Sequence, residues 1–174
     1  MERDSTRGYV FVTVGTTSFD ALVRIADSRA CREALLSRGY SSVVFQIGRG
    51  SYIPQKSTGD EDSLKTNYFT FAPSLADFIK NAALIISHAG SGSIFEALRA
   101  GRPLVVVAND ALMDNHQMEL AEELAESKYL FCASPGTLVN TITTMDLSSL
   151  IRYPASTPLA VVQALDQFLG FSNQ

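Results

Sequence analysis

From Ala83 to Gly101 the chain reads A-L-I-I-S-H-A-G-S-G-S-I-F-E-A-L-R-A-G. A short apolar run passes through a glycine-bearing loop into a helical pattern, which the Gly101-Arg102-Pro103 segment stops. Glycines at 90 and 92 let backbone approach a ligand closely, and the N–H groups at the start of the following helix face an anion unpaired. The residue types suit a phosphate. Glu96, one or two turns into the helix, would lie near a sugar attached to that phosphate, where its carboxylate accepts from two neighbouring hydroxyls. The stretch is thus expected to form strand, phosphate loop and helix, and to build a nucleotide or nucleotide-sugar site.

The neighbouring segments repeat this rhythm. Residues 104–108, L-V-V-V-A, are a continuous apolar run of the kind buried on both faces of a parallel sheet. Residues 9–14 are β-branched and aromatic and end in Gly15-Thr16-Thr17-Ser18. A helical segment with Leu22, Ile25, Ala26, Ala30 and Leu35 follows, with Gly39 as its C′ residue. Residues 43–47 form a short strand ending in Gly48-Arg49-Gly50, and 51–66 turn polar and read as a surface loop. A strand over 68–71 and a helix from Pro73-Ser74, with a Ser74/Asp77 capping box, come next. Beyond the loop at 109–115, Asp114 and Gln117 are placed to cap a helix carrying Met118, Ala121, Leu124 and Ala125. A last strand over 129–132, a small helical region over 135–150 and an apolar-rich helix over 159–169 complete the chain.

Six short strands separated mostly by helices predict an α/β fold, an open parallel Rossmann-like sheet with helices on both faces. Ligands of such sheets bind at the carboxyl ends of the strands. The loops 15–18, 48–50, 87–93 and 109–117 all follow strands and can share one edge. A length of 174 residues fits one domain, 1–174, with a core over about 8–170.

Composition excludes several classes. Fourteen basic against eighteen acidic residues, without a basic cluster, argue against nucleic acid as a partner. Cys31 and Cys132 lack metal or redox spacing. No apolar run approaches the roughly 18 residues of a membrane span, and M-E-R-D-S-T-R lacks the apolar segment of a signal peptide, so a soluble, cytoplasmic chain is expected.

H-A-G-S-G-S-I-F-E-A-L at 88–98, G-R-P-L-V-V-V at 101–107 and D-N-H-Q-M-E-L-A at 114–121 resemble the donor-binding half of two-domain B-type glycosyltransferases. V-T-V-G-T-T at 12–17, Q-I-G-R-G at 46–50 and F-A-P-S-L at 71–75 extend the resemblance over nearly all of 9–132. Within that family the chain is similar to soluble subunits of two-part N-acetylglucosaminyltransferases. These add the second N-acetylglucosamine to dolichol-diphosphate-linked N-acetylglucosamine, with a membrane-anchored partner holding the lipid-linked acceptor at the cytosolic face of the endoplasmic reticulum. The resemblance implies that Gly90, Ser91 and Gly92 with the helix start hold the uridine diphosphate, that His88, Ala89 and Ser93 belong to the same donor site, and that Glu96 accepts from the ribose hydroxyls. Gln117, with Asn115, would contact the transferred sugar, and His116 belongs to the same donor-binding motif. Gly15, Thr16 and Thr17 would close over the diphosphate or acceptor, and the uracil would lie near the backbone of Phe71 and Ala72. It implies UDP-N-acetylglucosamine as donor substrate, with no metal and no further cofactor.

A base for the acceptor hydroxyl is missing. Only His88 and His116 titrate near neutral pH, and both lie inside donor motifs, which makes them weak catalytic candidates. The expectation is half an enzyme whose base comes with the partner. Simpler roles stand beside these. The Gly90–Gly92 loop would serve as a bare turn, Glu96 as a solvated helix residue, Asn115 and Gln117 as caps, and Arg49 as a loop residue. A non-catalytic nucleotide-sugar-binding or regulatory module is the alternative function. A dinucleotide-dependent oxidoreductase fails, because the first strand ends G-T-T-S-F-D in place of G-x-G-x-x-G.

Overall fold

The computed structural model describes residues 8–60, 63–109 and 115–154. Asp114 and the helix expected over 159–169 lie outside the described residues. Six strands, β1 (Val10–Thr13), β2 (Ser42–Gln46), β3 (Lys65–Phe69), β4 (Leu84–His88), β5 (Leu104–Val107) and β6 (Phe131–Ala133), form one sheet. Every pairing is parallel and the order is β3-β2-β1-β4-β5-β6. The chain steps outward from β1 to β3, then crosses back to lay β4 beside β1 and steps outward the other way. The loops after β1 and β4 therefore diverge, and the crevice between them is where doubly wound sheets take their ligands.

Strand periodicity sorts the helices onto two faces. Val10, Val12, Leu84, Ile86, Val105 and Val107 point to one core, which α1 (Asp20–Ala26), α2 (Arg29–Ser37) and α6 (Leu138–Thr144) cover with Leu22, Leu35 and Ile142. The alternate residues Phe11, Ile85, Leu104 and Val106 point to the other, under α3 (Ala76–Asn81), α4 (Ser91–Arg99) and α5 (Asn115–Glu126). There Phe11, Phe69 and Phe78 stack, with Phe69 and Phe78 ring centroids 4.7 Å apart. Among the described residues no helix is long and apolar enough to cross a membrane.

The structure corrects several local expectations. The first helical segment is two helices, because Ser28 caps the second, its hydroxyl accepting from Cys31 N–H at 3.2 Å. The Ser74/Asp77 capping box does not form. The helix begins only at Ala76, so Asp77 stands one position early, and the Ser74 hydroxyl accepts from Ala76 N–H at 3.1 Å. Strand β3 starts at Lys65 and β6 ends at Ala133, both set by pairing to a neighbour and not by local hydrophobicity. Gly39 does end its helix, with φ of 90° and Tyr40 N–H donating to Leu35 O at 3.1 Å.

The polar segment after β2 is laid down along α1 and α2. Asp20 accepts from the Ser51 hydroxyl at 2.7 Å and from Ser51 N–H at 3.0 Å. These hydrogen bonds hold its carboxyl below the usual carboxylate range. Buried Asp27 pairs with Arg32 and accepts from the Tyr52 hydroxyl at 2.7 Å and Gln55 N–H at 3.2 Å. Arg32 also donates to Gln55 O at 3.0 Å and to the Thr66 hydroxyl at 2.9 Å. Apart from Asp27 with Arg32, no short-range pattern announces these ties, since the other partners stand 20 or more residues apart.

Candidate functional site

Strands β1 and β4 pair Thr13 with Ser87, so the residues just beyond them, Gly15 and His88, face each other across the switch point. Gly15 has φ of 64°, and a Cβ placed on it would stand 2.8 Å from His88 Cε1. A Cβ on Gly90 would overlap His88 Nε2. The imidazole thus fills a slot between two glycines. The missing side chain of Gly90 makes room for the protein's own histidine. Gly92 is different: a Cβ there would meet nothing within 4 Å, so it borders open space.

The same turn starts α4. Gly90 stands at the N-cap in extended conformation, and no side chain caps the helix. The first N–H groups and the positive end of the helix dipole are therefore available to an anion. Next to this start, Thr17, Ser18, Phe19, His88, Ala89, Asn109 and Gln117 line a cleft of about 80 Å³. A drug-sized ligand occupies a pocket of roughly 300–1,000 Å³. The described walls thus enclose only part of such a site.

Of the residues expected at the site, Thr17, His88, Ala89 and Gln117 line the cleft. Gly15 and Gly90 stand against the His88 ring. Ser91, Gly92 and Ser93 form the first turn of α4, and Glu96 lies four residues after Gly92 on the same exposed helix face, outside the cleft lining. Thr16 is exposed beside Thr17. Asn115 opens α5. His116 points away as an exposed residue whose Nδ1 stands 3.9 Å from the Glu119 carboxylate. Phe71, 51% exposed, and Ala72 follow β3, separated from β1 by β2, and do not line the cleft. Ser18 and Asn109, from the loops 15–18 and 109–117 expected at the ligand edge, also line the cleft, as does Phe19, which no sequence pattern singled out. The loop at 48–50 is a second layer, with Arg49 N–H donating to Thr17 O at 3.0 Å. Among the described residues no three His, Cys, Asp or Glu side chains stand together as a metal site.

Burial pushes the pKa of His88 below the ordinary histidine value, and the Thr13 carbonyl opposes this more weakly. Its Nδ1 is buried without a partner in hydrogen-bonding geometry. Because the folded ring resists protonation, the unfolded chain binds more protons once the pH falls below the ordinary value of about 6.5. The contribution of His88 to stability is complete above that pH and declines as pH drops toward the folded-state value. A proton-NMR titration of the ring should give a midpoint below 6.5. A midpoint at or above it would mean that the ring is not held in its slot.

Comparison with known proteins bears on this geometry. A profile of the glycosyltransferase family 28 C-terminal domain matches residues 9–167. The chain belongs to this family. Among curated relatives it is similar to the UDP-N-acetylglucosamine transferase subunit ALG13 of Mus musculus, 46% identical over 137 residues, 74% of this chain and 12% of that one. The ALG13 subunit of Yarrowia lipolytica is 40% identical over 118 residues, 68% of this chain and 60% of the relative. That of Kluyveromyces lactis is 34% identical over 157 residues, covering 80% of its length. The chain therefore matches about an eighth of the mouse protein and most of the Kluyveromyces one. The solution structure of ALG13 superposes with a TM-score of 0.70 at 27% identity, covering 91% of this chain and 95% of that one. MurG of Acinetobacter baumannii superposes at 0.65 and 18% identity, covering 96% of this chain and 50% of that one, a likeness of fold. The family's sheet is the one seen here, six parallel strands with helices on both faces.

Proposed function

We propose that the chain is the donor-binding subunit of a two-part glycosyltransferase, and that its donor is UDP-N-acetylglucosamine. The observation that carries this reading is the uncapped start of α4 at the switch point, with His88, Thr17, Asn109 and Gln117 around it. Helix N–H groups there would meet the diphosphate, and they are fixed before the reaction begins, so they stabilise the charge that gathers on the leaving UDP. An anion arriving beside the His88 ring favours its charged form, so bound UDP should raise the depressed pKa. Glu96, on the exposed face of α4, would accept from the ribose hydroxyls.

The ALG13 relatives are named as transferase subunits, which supports a chain that works with another. In this reading a membrane-anchored partner at the cytosolic face of the endoplasmic reticulum holds N-acetylglucosaminyl-diphospho-dolichol. The product carries the second N-acetylglucosamine, and the base comes with the partner.

Calorimetric titration of UDP and UDP-N-acetylglucosamine should detect binding, in the free chain or in its complex, and Glu96→Ala should weaken it by about 1–3 kcal/mol through the loss of one or two hydrogen bonds. Transfer activity should require the partner. Absence of binding in both preparations would refute the donor site. Binding without transfer in the complex would identify a regulatory module.

A further inference from the structure

Gln46 has no place in the reading above, yet its carboxamide has a full set of partners beneath the cleft. It ends β2, is 1% exposed, and lies in register with Thr13 of β1. Its Oε1 accepts from the Thr13 hydroxyl at 2.5 Å and from Gly15 N–H at 3.0 Å. Its Nε2 donates to Gly15 O at 2.7 Å and to Thr70 O at 2.8 Å. Both polar groups of the Gly15 backbone are therefore held by one side chain, with a third hydrogen bond running from Gly15 N–H to the Thr13 hydroxyl at 3.2 Å. Oε1 faces two donors and Nε2 two carbonyls, which fixes the orientation of the amide.

The consequence reaches the site. Gly15 stands in the left-handed region and its Cα side is packed on the His88 ring, so the bracket that fixes Gly15 also fixes one wall of the imidazole slot. Through Thr70 the same amide ties the loop after β1 to the loop after β3. We infer that Gln46 is a positioning residue for the donor site, presetting the Gly15 loop so that His88 is in place before the nucleotide arrives. Only glutamine meets the geometry: glutamate has no donor for the two carbonyls, asparagine is one methylene short, and an apolar residue removes the donor of Gly15 O and one partner each of Gly15 N–H and Thr70 O. A preset loop binds more tightly than one ordered on binding, because less conformational freedom is lost at that moment.

The inference rests on the donor-site reading, and its test separates the two. The full chain carries only two histidines, so the His88 ring signals can be followed by NMR while UDP is titrated. In Gln46→Met the His88 signals should move, their titration midpoint should return toward the ordinary histidine value, and the UDP dissociation constant should rise about tenfold, the change produced by loss of one to two hydrogen bonds. Thr13→Val, which keeps shape and removes one hydroxyl, should act in the same direction by about threefold, and it decides the matter if Gln46→Met does not fold. Ile142→Val, on the core face of α6, supplies a loss of stability without either effect. Lowered stability in the Gln46 and Thr13 variants, with His88 titration and UDP affinity both as in the wild type, would overturn the positioning role. A wild-type chain that fails to bind UDP, alone or in its complex, would overturn the donor reading, while the His88 signals still report whether Gln46 holds the loop.

Discussion

Gly48→Ala is expected to lower stability by about 2–5 kcal/mol, the sum of a left-handed backbone penalty and overpacking in a buried site. Gly48 has φ of 57° and is buried at the end of β2. A Cβ there would overlap Thr17 O and stand 2.9 Å from Gly15 O and 3.0 Å from Val14 Cγ2. Two of these neighbours are main chain in the loop after β1, so they cannot rotate away as a side-chain tip would. The Gly48 N–H is also engaged, donating to Thr70 O at 3.1 Å. Relief of the clash would push the Thr17 wall of the cleft. Denaturant unfolding measures the change in midpoint, and an alanine variant as stable as the wild type would show that the two loops are not packed as described.

The second large effect is on the ligand and not on the fold. Gly90 has φ of −73° and ψ of 126°, a conformation alanine adopts without strain. The added methyl nevertheless occupies the space of His88 Nε2, so the ring must leave its slot. Gly90→Ala should weaken donor binding and reduce transfer on the order of a hundredfold, the loss in kcat found when one preorganised donor of an oxyanion site is removed. Gly92→Ala is the contrast. Its methyl meets no protein atom and replaces a glycine within a helix, so stability should rise by about 0.4–1 kcal/mol. The open space it fills is where the donor would lie, so affinity should fall all the same. Calorimetry of both variants with UDP, beside their unfolding curves, checks the pair. A Gly90→Ala chain with wild-type affinity and unmoved His88 signals would remove the histidine slot from the site.

Much of this architecture was legible before any coordinate. Short apolar runs such as Leu104–Val107 have the length and β-branching of buried parallel strands, and glycine-bearing loops after them mark the ligand edge. Boundaries were less legible, because Lys65 and Ala133 are strand residues only through the neighbours they pair with. The site divided in the same way. His88, Ala89, Thr17 and Gln117 stood in motifs and line the cleft, whereas Ser18, Phe19 and Asn109 have ordinary loop chemistry and become lining residues only when three strand ends converge. His116 stood in the same motif as Gln117, one residue away, yet the helix turns it outward to Glu119. Successive residues on a helix face different directions, and motif membership does not encode that angle.

By itself the amino-acid sequence determined the element types, the parallel sheet and the anion-ready start of α4, since these follow from hydrophobic period, glycine placement and uncapped helix geometry within a few residues of chain. Tertiary structure alone decided that the His88 ring fills the space beside Gly90 while Gly92 borders open space. It also alone decided that Gln46 brackets Gly15 from 31 residues away. The Gln46 bracket exists only once β1 pairs with β2, and the Gly15 wall of the His88 slot only once β1 pairs with β4, because each depends on atoms that separate strands bring within a few ångströms.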